Sequence, residues 1–108
     1  MDEEVNFLFD PLHPAVLYLI QNTINAADHA GIPVSMCGEM AGDPRYARLL
    51  IGMGLREMSM HPNALLETRE VIRHCNLSDL QSRTESFFKQ LEFHTDTTAL
   101  FEELFNFH

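Results

Sequence analysis

Between Pro14 and Ala30 the apolar residues Val16, Leu17, Ile20, Ile24 and Ala27 recur at the three-and-four spacing of one helical face. Pro14 suits the first helical position, where a missing N–H costs nothing, and Gly31 stands where a left-handed cap belongs. The pattern predicts a helix over 14–30, after an irregular stretch broken by Pro11. "IPVSMC" (32–37) is short and mostly apolar, as a buried parallel strand is. "GEMAGD" reads as a loop, with Asp43 as cap and Pro44 as first residue of a helix running to Met53, where Gly54 ends it. "REMSM" (56–60) predicts a second strand, in which Met58 and Met60 alternate around Ser59 and point to the core. His61 and Pro62 close it, and Asn63 can cap a helix to about His74 that carries Leu65, Leu66, Arg69 and Ile72 on one side.

Residues 14–74 therefore read α-β-α-β-α. Strands separated by a helix are expected to run parallel. The strand starts lie about 25 residues apart, close to the roughly 30 residues per unit of an eight-fold β/α barrel. The rest of the chain is helical. Ser78 with Gln81 makes a capping-box pattern ahead of a helix over 79–92, with Leu80, Thr84, Phe87, Phe88 and Leu91 on its apolar face. "FHTDTT" interrupts, and a last helix over 97–106 aligns Leu100, Phe101, Leu104 and Phe105 as core or interface.

Two parallel strands do not make a sheet that stands alone, because such sheets need both faces and both edges covered. Val34 and Met36 would otherwise leave apolar surface in water, at about 25 cal/mol per Å². The expected fold class is α/β, as a piece of a larger α/β domain. Its sheet must be covered by the C-terminal helices or by another chain, and association of two copies is one such arrangement.

The chain has 108 residues, of which 45% are hydrophobic, so a core is expected. Its net charge of −9 argues against nucleic acid and against anionic membranes as partners. "MDEEVNFLFD" lacks the basic and apolar regions of a signal peptide, and no apolar run nears the roughly 20 residues that span a bilayer. A cytoplasmic chain with Cys37 and Cys75 as free thiols is expected.

Chemistry concentrates at Cys37. It ends a parallel strand, where active-site residues of α/β folds gather, and Gly38 and Gly42 would let backbone approach a ligand. A thiol with a pKa of roughly 8.5 is mostly protonated at neutral pH, which suits a proton donor. Position alone favours a small buried hydrophobe at Cys37. Glu39 reads either as a ligand-orienting carboxylate or as a solvated loop residue, and Asp43 as a helix cap. The six histidines are scattered without zinc spacing, so no metal site within this chain is expected. No P-loop, dinucleotide fingerprint or nucleophile elbow occurs.

The string "CGEMAGDP", with "FDPLHPAVLYLI" ahead of it and "LLIGMGLREMSMHP" behind, resembles the C-terminal end of the phosphoenolpyruvate-protein phosphotransferase family. This is enzyme I of the bacterial sugar phosphotransferase system. The resemblance runs from about Val5 to Leu80. It implies that 1–80 is the last quarter of a phosphoenolpyruvate-binding (β/α)₈ TIM barrel and that 81–108 is a helical tail. It also implies that Cys37 is the acid that protonates the methylene carbon as the phosphoryl group leaves, with Gly38 and Glu39 lining the same mouth. The family uses Mg²⁺ and passes the phosphoryl group to a protein histidine and then to a phosphocarrier protein. This sequence contains neither the phosphohistidine motif, nor the arginines that clamp the substrate, nor the acidic residues that hold Mg²⁺. The 108 residues alone are therefore expected to bind no metal and to be inactive. A non-catalytic α/β module that binds a protein partner is the alternative.

Overall fold

The computed structural model describes residues 10–36, 40–93 and 96–106. Helix α1 (Pro14–Ala30) opens on His13, whose Nδ1 accepts the N–H of Ala15 at 3.1 Å. It closes on Gly31 at φ 70°, after which the N–H of Ile32 reaches back to the Ala27 carbonyl at 3.0 Å. That left-handed cap is the one glycine adopts without steric cost.

Strands β1 (Ser35–Met36) and β2 (Glu57–Met58) pair in parallel, Ser35 opposite Glu57 and Met36 opposite Met58. The orientation is the expected one, whereas the ladder is shorter than the runs 32–37 and 56–60. The backbone gives the reason. The N–H of Ile32 is spent on the cap of α1, and Pro33 has no N–H to give. Beyond the ladder, Ser59 still donates to the Met36 carbonyl at 2.8 Å. Cys37, the last residue of the expected first strand, lies outside the described residues.

Helix α2 (Pro44–Gly52) crosses between the strands, capped by Asp43 and ended at Gly54, where φ is 110°. Helix α3 (Pro62–Arg73) is capped by His61, whose Nδ1 accepts the N–H of Asn63 at 3.3 Å, so Asn63 sits inside the first turn and is not the cap. Helix α4 (Leu77–Leu91) likewise starts earlier than expected. Asn76 caps it through the N–H of Asp79 at 3.1 Å, and Ser78 lies within the helix. Helix α5 (Thr97–Phe105) is capped by Asp96.

The core is mainly a helical one. Leu17 and Ile24 of α1, Leu49 and Leu50 of α2, Phe87 and Leu91 of α4, and Leu100, Phe101 and Phe105 of α5 are buried together. Val34, Met36 and Met58 of the strands pack against this cluster and stay partly buried. A chain of ring contacts ties the helices, running Tyr18–Phe88–Phe87–Phe105–Phe101–Tyr46 with centroids 5.4–5.8 Å apart. Helix α3 departs from its pattern. Its apolar stripe faces outward, with Leu65, Leu66 and Ile72 exposed, Leu66 by 72%, and its buried residue is Thr68. Leu19 and Ile32, near β1, are also exposed. Among the described residues no helix is long and apolar enough to cross a membrane.

Helices α2 and α4 approach most closely at Gly52. A Cβ there would run into Thr84 Oγ1 and lie 2.8 Å from the Leu80 carbonyl oxygen, which belongs to the α4 backbone and has little room to move. We therefore expect Gly52→Ala to destabilise the chain by about 1–3 kcal/mol in urea unfolding, overcoming the roughly 1 kcal/mol that alanine gains in helix propensity. A more stable variant would show that the two helices can move apart freely.

Candidate functional site

The turn that leads from β1 into α2 is the place where the sequence puts its chemistry. Cys37, Gly38 and Glu39 lie outside the described residues, and the site is built here from what flanks them. On the upstream side Met36 forms the last described rung of the parallel ladder. On the downstream side Met40 packs against the core and Ala41 is buried to 3% exposure. The N–H of Asp43 closes a turn on the Met40 carbonyl at 3.3 Å. The turn ahead of α2 is thus anchored at Met40 and Ala41 before the helix begins.

Asp43 does two things at once. One carboxylate oxygen accepts the N–H of Arg45 at 3.0 Å, which caps α2. The same carboxylate takes the Arg45 guanidinium, with Nη2 at 2.7 Å and Nε at 3.1 Å. The hydrogen bond from the Arg45 side chain holds the Asp43 carboxyl below its ordinary value, against the opposing effect of partial burial. Arg45 also lies 5.4 Å over the ring of Tyr46. Burial pushes the Tyr46 phenol up, so it stays protonated through the neutral range.

Behind this turn the C-terminal helix closes in. The ring of Tyr46 meets Phe101 at 5.4 Å, and Nη1 of Arg48 reaches the Phe105 carbonyl at 3.4 Å. A cavity of about 180 Å³ lies between α2 and α5, bordered by Leu12, Arg45, Tyr46, Arg48 and Glu102. Sequence reasoning singled out Asp43 but none of Arg45, Tyr46 and Arg48. Arg45 pairs locally with Asp43, whereas the α5 partners of Tyr46 and Arg48 lie more than 50 positions away and only folding reveals them.

The other candidates do not gather here. His13 and His61 are engaged as helix caps, and His74 stands 3.7 Å from Glu70 on the surface of α3. The Cys75 thiol donates to the Val71 carbonyl at 3.0 Å. Among the described residues no three histidine, cysteine or acidic side chains come together in a way that could hold a metal ion.

The lowered Asp43 carboxyl has a definite pH sign. A group depressed on folding contributes stability above its unfolded value and loses it as pH falls through the folded one. We expect Asp43→Ala to cost about 0.5–2 kcal/mol at pH 7, mainly as a lost cap because Arg45 is exposed. The difference between variant and wild type should shrink as pH falls below about 3.9. A gap that stays constant down to pH 2 in thermal unfolding would assign the loss to something other than the carboxylate.

Comparison with known proteins bears on the same segment. The family described as PEP-utilising enzyme, PEP-binding domain matches residues 1–77. A phosphoenolpyruvate-protein phosphotransferase of Cupriavidus necator is 48% identical over 99 residues, which are 92% of this chain and 17% of that protein. One from Enterococcus faecalis is 38% identical over 103 residues, 95% of this chain and 18% of the relative. One from Staphylococcus carnosus is 41% identical over 85 residues, 79% of this chain and 15% of the relative. The chain spans less than a fifth of the length of these relatives. With most of its length matched by the family and nearly all of it by the first two relatives, this chain belongs to the PEP-binding domain family of PEP-utilising enzymes and is the counterpart of the C-terminal end of enzyme I.

Proposed function

We propose that this chain is the proton-donor segment of a phosphoenolpyruvate-dependent protein phosphotransferase, and that Cys37 is the donor. The observation that carries the reading is the order of elements around the turn. A parallel strand, β1, runs directly into Cys37, and the capped helix α2 opens at Pro44 just beyond it. Strand ends followed by helix starts are where open and closed α/β sheets place their chemistry. Similarity to phosphotransferases over nearly the whole chain supports the same reading.

In this reading residues 1–80 form the last quarter of a (β/α)₈ barrel and 81–108 a helical tail. The exposed apolar residues near β1 and along α3 are then the flanks that neighbouring barrel units would cover. Cleavage of the bond between phosphorus and the enol oxygen sends the phosphoryl group to a protein histidine and leaves the enolate of pyruvate. The Cys37 S–H bond breaks as a C–H bond forms at the methylene carbon, and the thiolate regains its proton from water. A thiol is suited to the task because it is mostly protonated at neutral pH yet gives up its proton more readily than a hydroxyl. Gly38 and Glu39 line the same mouth, where the glycine leaves space and the carboxylate orients the substrate. Mg²⁺, the arginine clamp, the accepting histidine and the surface for the phosphocarrier protein would be supplied outside these residues.

The same uncovered flanks favour a second reading, a non-catalytic module that binds a protein partner or a second copy of itself. Light scattering on the purified chain separates the two copies from one.

Two outcomes are expected. The 108-residue chain alone, given phosphoenolpyruvate, Mg²⁺ and a phosphocarrier protein, should transfer no phosphoryl group, because phosphate-stabilising cations are missing. Transfer at a rate near that of the long relatives would overturn the reading. In a full-length enzyme that contains this segment, Cys37→Ala should lower pyruvate formation by about 10²–10⁴-fold, the usual range for a lost general acid. Unchanged turnover would return Cys37 to the role of a small packed residue.

A further inference from the structure

We propose that α5 is a positioning strut for the turn and first helical turn that follow Cys37, with Tyr46, Arg48 and Phe101 as its positioning residues. Three observations converge on it. First, α5 has no basic residue in its own last turn, where helices leave carbonyls unpaired and carry negative dipole. Two guanidiniums from other helices meet those carbonyls: Arg83 of α4 donates to Leu104 at 2.9 Å, and Arg48 of α2 reaches Phe105 at 3.4 Å. Arg83 is itself oriented by Asp79, at 2.9 Å, so the α4 side of the strut is fixed.

Second, the face of α5 that carries Phe101 and Phe105 meets both neighbours. Phe105 is edge-on to Phe87 of α4, and Phe101 packs on Tyr46 of α2. Third, Tyr46 lies in the first turn of α2, and its N–H is bonded to the Asp43 carbonyl at 3.0 Å. Asp43 in turn closes the tight turn on Met40. A displacement of α5 therefore reaches Met40–Asp43 through contacts that are all present in the fold. Helix α5 lies beyond the family match of 1–77, so the strut joins the tail to Tyr46 and Arg48 inside the matched segment.

The bearing of the strut on catalysis rests on the reading of Cys37 given above, whereas the strut itself does not. The test uses the whole 108-residue chain and no phosphoenolpyruvate, so its failure is separable from failure of that reading. Amide solvent exchange is measured by NMR at Asp43, Arg45 and Tyr46, with Leu17–Ile24 of α1 as internal reference. Arg48→Met and the milder Phe101→Leu should each speed exchange at the three turn amides by about tenfold while the α1 amides change less than about twofold. Arg48→Lys, which keeps a cation near the Phe105 carbonyl, should return exchange at the turn amides toward wild type. Exchange that rises by the same factor in α1 and in the turn, or does not rise at all, overturns the proposal. So does exchange in Arg48→Lys as fast as in Arg48→Met.

Discussion

Two parallel strands of two residues each supply few hydrogen bonds, so the helix that crosses between them must be held by other means. In this chain α2 is held by its packing against α4, where Gly52 allows the backbone of one helix to lie against Thr84 and Leu80 of the other. That close approach brings Leu49 and Leu50 into the same cluster as Phe87 and Leu91. The strands are then secondary to the helices: their apolar residues complete the edge of a core that Leu, Phe and Met side chains from four helices have already formed. Each Leu or Phe removed from water contributes about 1.5–3 kcal/mol, against about 0.5–1.5 kcal/mol for each backbone hydrogen bond, and the core holds many such side chains while the ladder has few bonds.

The position of the candidate site follows from this arrangement. Because α2 is fixed along its length by α4 and near its start by α5, the turn that precedes it enters a rigid helix. Asp43 sets the helix start, and its bond to Arg45 keeps the carboxylate charged over a wider pH range. The tail thus packs against the first turns of α2 through Tyr46 and Arg48. The uncovered apolar residues of α3 and of the β1 side tell the opposite story at the flanks, where packing is left incomplete within these 108 residues.

Much of this was legible in the sequence where a residue acts through its own backbone. Pro14, Gly31, Asp43, Pro44 and Gly54 marked helix ends correctly because caps and left-handed glycines are local devices. The apolar face of α5 was legible for the same reason. His61 and Asn76 were missed as caps because histidine is seldom one, and because Ser78 offered a more familiar pattern two residues later. The strand lengths were overestimated because a pattern of side chains does not show that the N–H of Ile32 is already spent on α1. The outward leucines of α3 show that periodicity identifies an apolar stripe but not whether anything covers it. At the site, the motif pointed to Cys37, Gly38 and Glu39, which lie outside the described residues, while Tyr46 and Arg48 depend on partners in α5 that no local pattern reveals.

Stereochemistry shows whether a protein thiol delivers the proton to the enolate. A full-length enzyme containing this segment is run in deuterated water on phosphoenolpyruvate carrying tritium at one methylene position. The configuration of the resulting chiral methyl group in pyruvate is then read. A fixed donor at one face predicts a single configuration for the intact enzyme and a racemic methyl group for Cys37→Ala, where water protonates either face. A single configuration that persists in Cys37→Ala would contradict the account.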